Sequence, residues 1–186
     1  MFSLLRQELG RPPGYLLTSV PSDTKPRNRW LDGARFKEPP SRTLQFPLDA
    51  SAGTQMPDFL QADIPLFSAR LLNRFHAEGV DNLDAYPAIL VDPKSGRQWH
   101  DYFAVNIIGI VSCADMDQSE YVDHTGKSQA SVAFSKLVID GRRTCDLLCF
   151  RLFENFSSIL VHQNVVSKIA VTDFAGLRFE LLESVA

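Results

Sequence analysis

Tyr102-Phe-Ala-Val-Asn-Ile-Ile-Gly-Ile-Val-Ser-Cys113 is the stretch from which the fold is read: eight of its twelve residues are aliphatic or aromatic, and both alternating faces are apolar. Such a run predicts a central strand covered on both sides. Phe103, Val105, Ile107 and Val111 would share one face, with Tyr102, Ala104, Ile108 and Ile110 on the other. Past Ala114 the chemistry inverts, because Asp115, Asp117, Glu120 and Asp123 follow with no Lys or Arg among them. A buried strand running into an acidic loop is the first place to look for function. Asp115, Asp117, Ser119, Glu120, Tyr121 and Asp123 are therefore the candidate partner-binding residues.

Upstream, Ala85 to Val91 and the run from Gln98 flank the turn Asp92-Pro-Lys-Ser-Gly96, which predicts a hairpin. Before it, Phe67, Leu71 and Phe75 recur every four residues, Leu72 widens the stripe and Gly79 stands where a helix stops, predicting a helix over about 65–78. His76 falls on the surface of that helix. Downstream, Val132 to Ile139 and Cys145 to Phe153 flank Asp140-Gly141, a pair suited to a tight reversal, and predict a second hairpin. Ser157 to Val161 reads as a strand, 162–173 as a short helix on Val165, Val166, Ile169 and Ala170, and Leu177 to Leu182 as a closing strand. The fold class is α+β: a largely antiparallel sheet with two short helices.

Eight of the eleven prolines lie between residues 11 and 60, so long regular elements are not expected there, only short extended pieces at Gly14 to Val20, Arg29 to Asp32 and Thr43 to Leu48. The predicted organisation is a proline-rich, partly stranded region over 1–60 packed on a core over 61–186, one structural domain overall. Its basic cluster of Lys25, Arg27, Arg29, Arg35, Lys37 and Arg42 reads as a solvated loop, since only Trp30 and Phe36 offer stacking surfaces and no nucleic-acid motif accompanies them. The first sixty residues carry eight Lys/Arg against six Asp/Glu and the rest eleven against sixteen, which puts the acidic excess towards the C-terminal part. The opening Met1-Phe-Ser-Leu-Leu-Arg-Gln-Glu predicts neither signal peptide nor anchor, so cytoplasmic residence and no membrane partner are expected.

Arg151 interrupts the apolar face formed by Leu147, Cys149 and Phe153. Buried, it would need a carboxylate or several carbonyls, with Glu154, Asp115 and Asp117 as candidates; alternatively it faces an edge with its head in water. Asn106, Arg151 and Glu154 are read as structural polar residues. Cys113, Cys145 and Cys149 lack metal-finger spacing and read as reduced core thiols. The four histidines, His76, His100, His124 and His162, form no local metal pair, and no phosphate loop or nucleophile elbow is present. An enzyme reading would take Cys113 with His100 or His124 and Asp115, or the Asp115 and Asp117 pair as acid and base or as holders of a divalent ion. Carboxylates close after Cys113 would raise its thiol pKa and argue against the first.

Gly79-Val-Asp-Asn-Leu-Asp-Ala-Tyr86, Tyr102 with Val105-Asn-Ile-Ile-Gly109, Asp115 and Asp117 with Ser119, then Phe150-Arg-Leu-Phe-Glu154 and Ile159-Leu-Val-His162 form an ordered series. The series resembles the bacterial immunity-protein family numbered eleven of polymorphic toxin systems, formerly a domain of unknown function, over roughly residues 60 to 183. The resemblance implies a cytoplasmic protein without catalysis that neutralises a cognate toxin. No cofactor, metal or nucleic acid is expected. The acidic loop would either meet a basic toxin or merely keep a surface soluble, and the hydrolase or ligand-binding reading built on Cys113 or Asp115 and Asp117 stands as the alternative.

Overall fold

The computed structural model describes residues 1–8, 16–17, 30–49, 52–53, 55–123 and 132–185. The apolar run at 102–113 is divided between two sheets. Its first part ends strand β7 (Gln98–Ile107), which lies inside a six-stranded sheet of order β2-β3-β6-β7-β5-β4. The others are β2 (Leu16–Leu17), β3 (Leu44–Asp49), β4 (Phe59–Leu60), β5 (Leu66–Ser68) and β6 (Leu83–Val91). Its second part is β8 (Ile110–Val111), at one edge of a five-stranded sheet of order β14-β1-β13-β12-β8. That sheet contains β1 (Phe2–Gln7), β12 (Cys149–Leu152), β13 (Asn155–His162) and β14 (Leu177–Leu181).

The expected single strand is broken at Gly109, whose φ of +115° is open to glycine and strained for other residues. A Cβ there would also lie 2.9 Å from Leu147 Cδ1. Asn82 fixes the crossing, donating through Nδ2 to the carbonyl of Ile108, just past β7, and to that of Cys149 in β12, the strand that pairs with β8. Within β7 the expected alternation holds. Tyr102 and Ala104 join a cluster with Trp30, Phe46, Leu66 and Leu90, while Val105 and Ile107 join another with Phe67, Leu71 and Phe75.

That second cluster is the shared core. It is filled from one side by the six-stranded sheet and helix α1 (Ala69–Ala77), and from the other by Leu5, Cys149, Ile159, Val161 and Leu177 of the five-stranded sheet. The opposite face of the five-stranded sheet buries Phe2, Leu4, Phe150 and Leu160 under a third cluster that includes Leu137 and Ile139. Two small pairs complete the fold: β9 (Glu120–Asp123) with β10 (Val132–Lys136), antiparallel, and β11 (Val138–Asp140) with β15 (Glu183–Val185), parallel. The architecture is α+β and mostly strand, with antiparallel pairing predominant.

The hairpin across Asp92–Gly96 is present as β6 and β7, and Gly79 stops α1 with φ of +86°. Three expectations need correction. Helix α1 starts at Ala69 rather than near 65, because Leu66, Phe67 and Ser68 pair with β7 as strand β5, and Ser68 then caps the helix by accepting from Leu71 N–H. The helix expected over 162–173 is only α2 (Gln163–Val166), followed by a 3-10 turn at Val171–Asp173; Ala170 between them is extended, and the β-branched Val165, Val166, Val171 and Thr172 give a helix little intrinsic support. The hairpin across Asp140-Gly141 does not form. Asp140 caps a 3-10 turn over Gly141–Arg143, left-handed backbone falls later at Cys145 and Asp146, and β10, β11 and β12 each pair elsewhere.

A polar hub ties the layers together. Asp58, 5% exposed, accepts from Ser68 Oγ at 2.5 Å, from Arg70 Nε at 2.7 Å and from Ala175 N–H at 2.8 Å, so strands, helix and a late loop meet on one carboxylate. Beside it Tyr102 donates to Pro57 O at 2.7 Å. No helix among the described residues is long and apolar enough to cross a membrane.

Candidate functional site

The segment after β8 starts in the core and ends in water. Cys113 and Ala114 are buried, and Ala114 bridges to Ile139 while Asp140 N–H donates to Cys113 O. Asp115 then closes a turn on itself: Oδ1 accepts from Asp117 N–H and Gln118 N–H, both at 3.1 Å, and Oδ2 from Gln118 Nε2 at 2.8 Å. An aspartate bonding backbone two and three residues on favours such turns. Asp115 O takes Ser119 N–H, and Ser119 Oγ accepts from Val138 N–H at 2.9 Å. Asp115 and Ser119 are therefore half-buried braces.

Asp117, Glu120, Tyr121 and Val122 face outward, with Tyr121 44% and Val122 60% exposed. Among the described residues neither Asp117 nor Glu120 has an ion-pair partner. Asp123 ends β9 opposite Val132; its side chain and His124 lie outside the described residues. The structure thus separates the six candidates into two braces, three outward residues and Asp123, placed by its backbone.

β9 and β10 form a ribbon that belongs to neither large sheet. Tyr121 leans on Phe134 across it, ring centroids 6.0 Å apart, while Val122 pairs with exposed Ala133 on the other face. The base of the ribbon is stitched to the turn after β12, where Val132 N–H donates to Glu154 O and Asn155 Nδ2 to Val132 O. Between β10 and β1 a cleft of about 200 Å³ opens, lined by Leu4, Arg6, Phe134, Asn155, Ser158 and Glu180. Val122 was missed in the sequence because a lone valine between acids carries no signal beyond its neighbours; the strand-like Glu-Tyr-Val-Asp stretch was the available cue.

Of the two readings of Arg151, burial is the one found. It has no exposure, Nη1 donates to Phe156 O at 2.7 Å and Nη2 to Asp63 O at 3.1 Å. Carbonyls rather than Glu154, Asp115 or Asp117 receive it. Burial pushes the guanidinium down to about 10, opposed by Cys149 and Asp63, so it stays charged at neutral pH. Glu154, 3% exposed, accepts from Ser112 Oγ at 2.6 Å, and buried Asn106 donates to Ala34 O at 2.9 Å.

Cys113 has no exposure and its thiol is pushed up to about 12, first by burial and then by Glu154 and Asp140. Those two carboxylates raise it, not the expected Asp115 and Asp117. A thiol so placed is a poor nucleophile. His100 stands exposed on β7, in the other sheet. Cys149 is buried likewise, but Cys145 is exposed, correcting the expectation of three core thiols. His76 is on the helix surface, and among the described residues no group of three or more His, Cys, Asp and Glu is placed to hold a metal ion.

A braced turn that presents acids and apolar side chains to solvent, beside a buried and weakly acidic thiol, is suited to contact rather than to covalent chemistry. The chain matches the model of the Immunity protein family (Imm11) over residues 6–184. This chain belongs to the Imm11 family. No curated protein matches it. The Imm11 match takes in the six-stranded sheet, all of the five-stranded sheet but most of β1, the ribbon and the braced turn, and extends well upstream of residue 60, where the motif resemblance began.

Proposed function

We propose that this Imm11 chain protects bacterial cells by binding and neutralising a cognate toxin of a polymorphic toxin or contact-dependent competition system, in the cytoplasm and without catalysis. The family match over residues 6–184 carries this reading. The surface offered to the toxin is the outward part of the acidic segment, Asp117, Glu120 and Tyr121, joined by Val122. A toxin that acts on nucleic acid presents a basic site, and outward carboxylates with no ion-pair partner among the described residues would steer such a partner and occupy its phosphate positions. An interface of about 800 Å² per partner needs only a few such anchors.

The test is coexpression with the toxin encoded beside this gene. Cells are expected to survive, and death with both proteins soluble would refute the reading. The contact surface is checked separately by Asp117→Lys with Glu120→Lys, expected to lower the toxin association rate at low salt by about tenfold or more. An unchanged rate would remove these residues from the interface. Asp115 is the wrong choice for this experiment, because its carboxylate holds the turn together and a change there would confound contact with folding.

A further inference from the structure

The two large sheets blunt their edges. β2, β4 and β8 are two residues long, and β14 carries Arg178 and Glu180, where Glu180 pairs with Arg6 at 3.5 Å and with Arg178 at 3.7 Å. Short and charged edges are the usual protection against unwanted strand pairing. β9 is different. Among the described residues it pairs on one side only, with β10, whose far side is held at Val132 by bonds to the turn at Glu154 and Asn155 and faces the cleft towards β1. The bulge in the ribbon lies in β10, between Phe134 and Lys136. β9 itself, Glu-Tyr-Val-Asp, has strand-forming residues in its middle and no proline, lysine or arginine.

We infer that β9 is a docking edge, on which the toxin lays an extended basic segment antiparallel or parallel to Glu120–Asp123 and adds a third strand to the ribbon. This rests on the immunity reading above and specifies how the partner is held. Backbone hydrogen bonds along β9 supply affinity, and the alternate side chains Tyr121 and Val122 meet the added strand's side chains on opposite faces. The acids choose the occupant. A second copy pairing antiparallel and centred on the same edge would set Glu120 opposite Asp123 at both ends, and like charges directly opposed destabilise a strand pair. A strand with Lys or Arg at those positions meets the opposite sign, and Asp117, unpaired among the described residues, adds to the attraction.

Amide hydrogen exchange of the full chain, alone and with the neighbouring toxin, tests this. Alternate amides in 120–123 are expected to slow by about tenfold or more on binding. Toxin bound with exchange at 120–123 unchanged overturns the docking edge and leaves the immunity reading in place, whereas a toxin that neither binds nor is neutralised takes both away. Protection of β9 that grows with concentration of the protein alone assigns the edge to a second copy and also overturns the proposal. Side-chain substitution gives an independent arm. Val122→Lys, at a 60% exposed position, is expected to raise the toxin dissociation constant about tenfold with an unchanged melting temperature, while Val122→Thr stays within about threefold. Equal affinities for the two variants would sink the edge.

Discussion

Arg151 clamps two segments through their backbones. Its guanidinium joins Phe156 O, just beyond the turn after β12, to Asp63 O in the stretch leading to β5, and it does so with no exposure to solvent. Removing the side chain strands two carbonyls and leaves a void. Arg151→Ala is therefore expected to destabilise the fold by about 3–5 kcal/mol, read from urea unfolding midpoints. Arg151→Met keeps most of the volume and should cost less; equal losses would mean that hydrogen bonding, not packing, is what matters at this position. The sequence marked Arg151 as out of place on an apolar face. It could not name the partners, because a backbone carbonyl leaves no trace in the identity of the residue that bears it. Asp115 makes the complementary point: four acids in a row of nine positions suggested one surface, yet the first of them is occupied with its own turn.

Among elements, the passage from β7 to β8 depends on one residue. Gly109 takes a backbone angle that strains any side chain, and its N–H donates to Gly33 O at 2.8 Å while Arg151 N–H donates to Gly109 O at 3.0 Å. Gly109→Ala should cost about 1–3 kcal/mol, part of it from the approach to Leu147 Cδ1, which can move. A melting temperature equal to that of the unaltered protein would show that the crossing does not need glycine. Elements whose partners are close in sequence were legible: the β6–β7 hairpin, the α1 stripe, the alternation of β7. Those whose partners are remote were not, nor was the tight, bulged pairing of β12 with β13. Asp140-Gly141 carries a good local reversal signal, but β11 pairs with β15 and β12 with β13 and β8, and those partnerships outweigh it. β1 escaped notice because Phe-Ser-Leu-Leu-Arg-Gln does not alternate and both its neighbours lie in the last third of the chain.

On the scale of the molecule, the meeting of the first strand with β13 is also where pH should act. His162 closes β13, accepts from Asn164 N–H through Nδ1 at 3.2 Å to cap α2, and packs on Phe2 with ring centroids 4.9 Å apart. Its pKa is lowered from 6.5, first by burial and then by the positive N-terminus of Met1. The unfolded chain therefore binds this proton more readily. The stabilisation from the neutral ring is complete above the unfolded value and is lost as pH falls through the lower folded one. His162→Asn, which keeps an acceptor for the cap, should flatten the melting temperature against pH between about 5 and 7 relative to the unaltered protein. Parallel profiles for the two would exclude His162 as the source of the slope.

Gln163 Nε2 reaches Ser3 Oγ across 160 positions of sequence, and strand β1 sits between two neighbours synthesised long after it. At synthesis rates of about 5–20 residues per second, Phe2 to Leu5 wait roughly 8 to 32 s for the strands that will cover them. For that interval a newborn chain has an incomplete five-stranded sheet and greasy residues in search of cover. Under the proposed immunity role, a cell would be defended by the molecules it had already finished, and an abrupt challenge would find those still on the ribosome of no use.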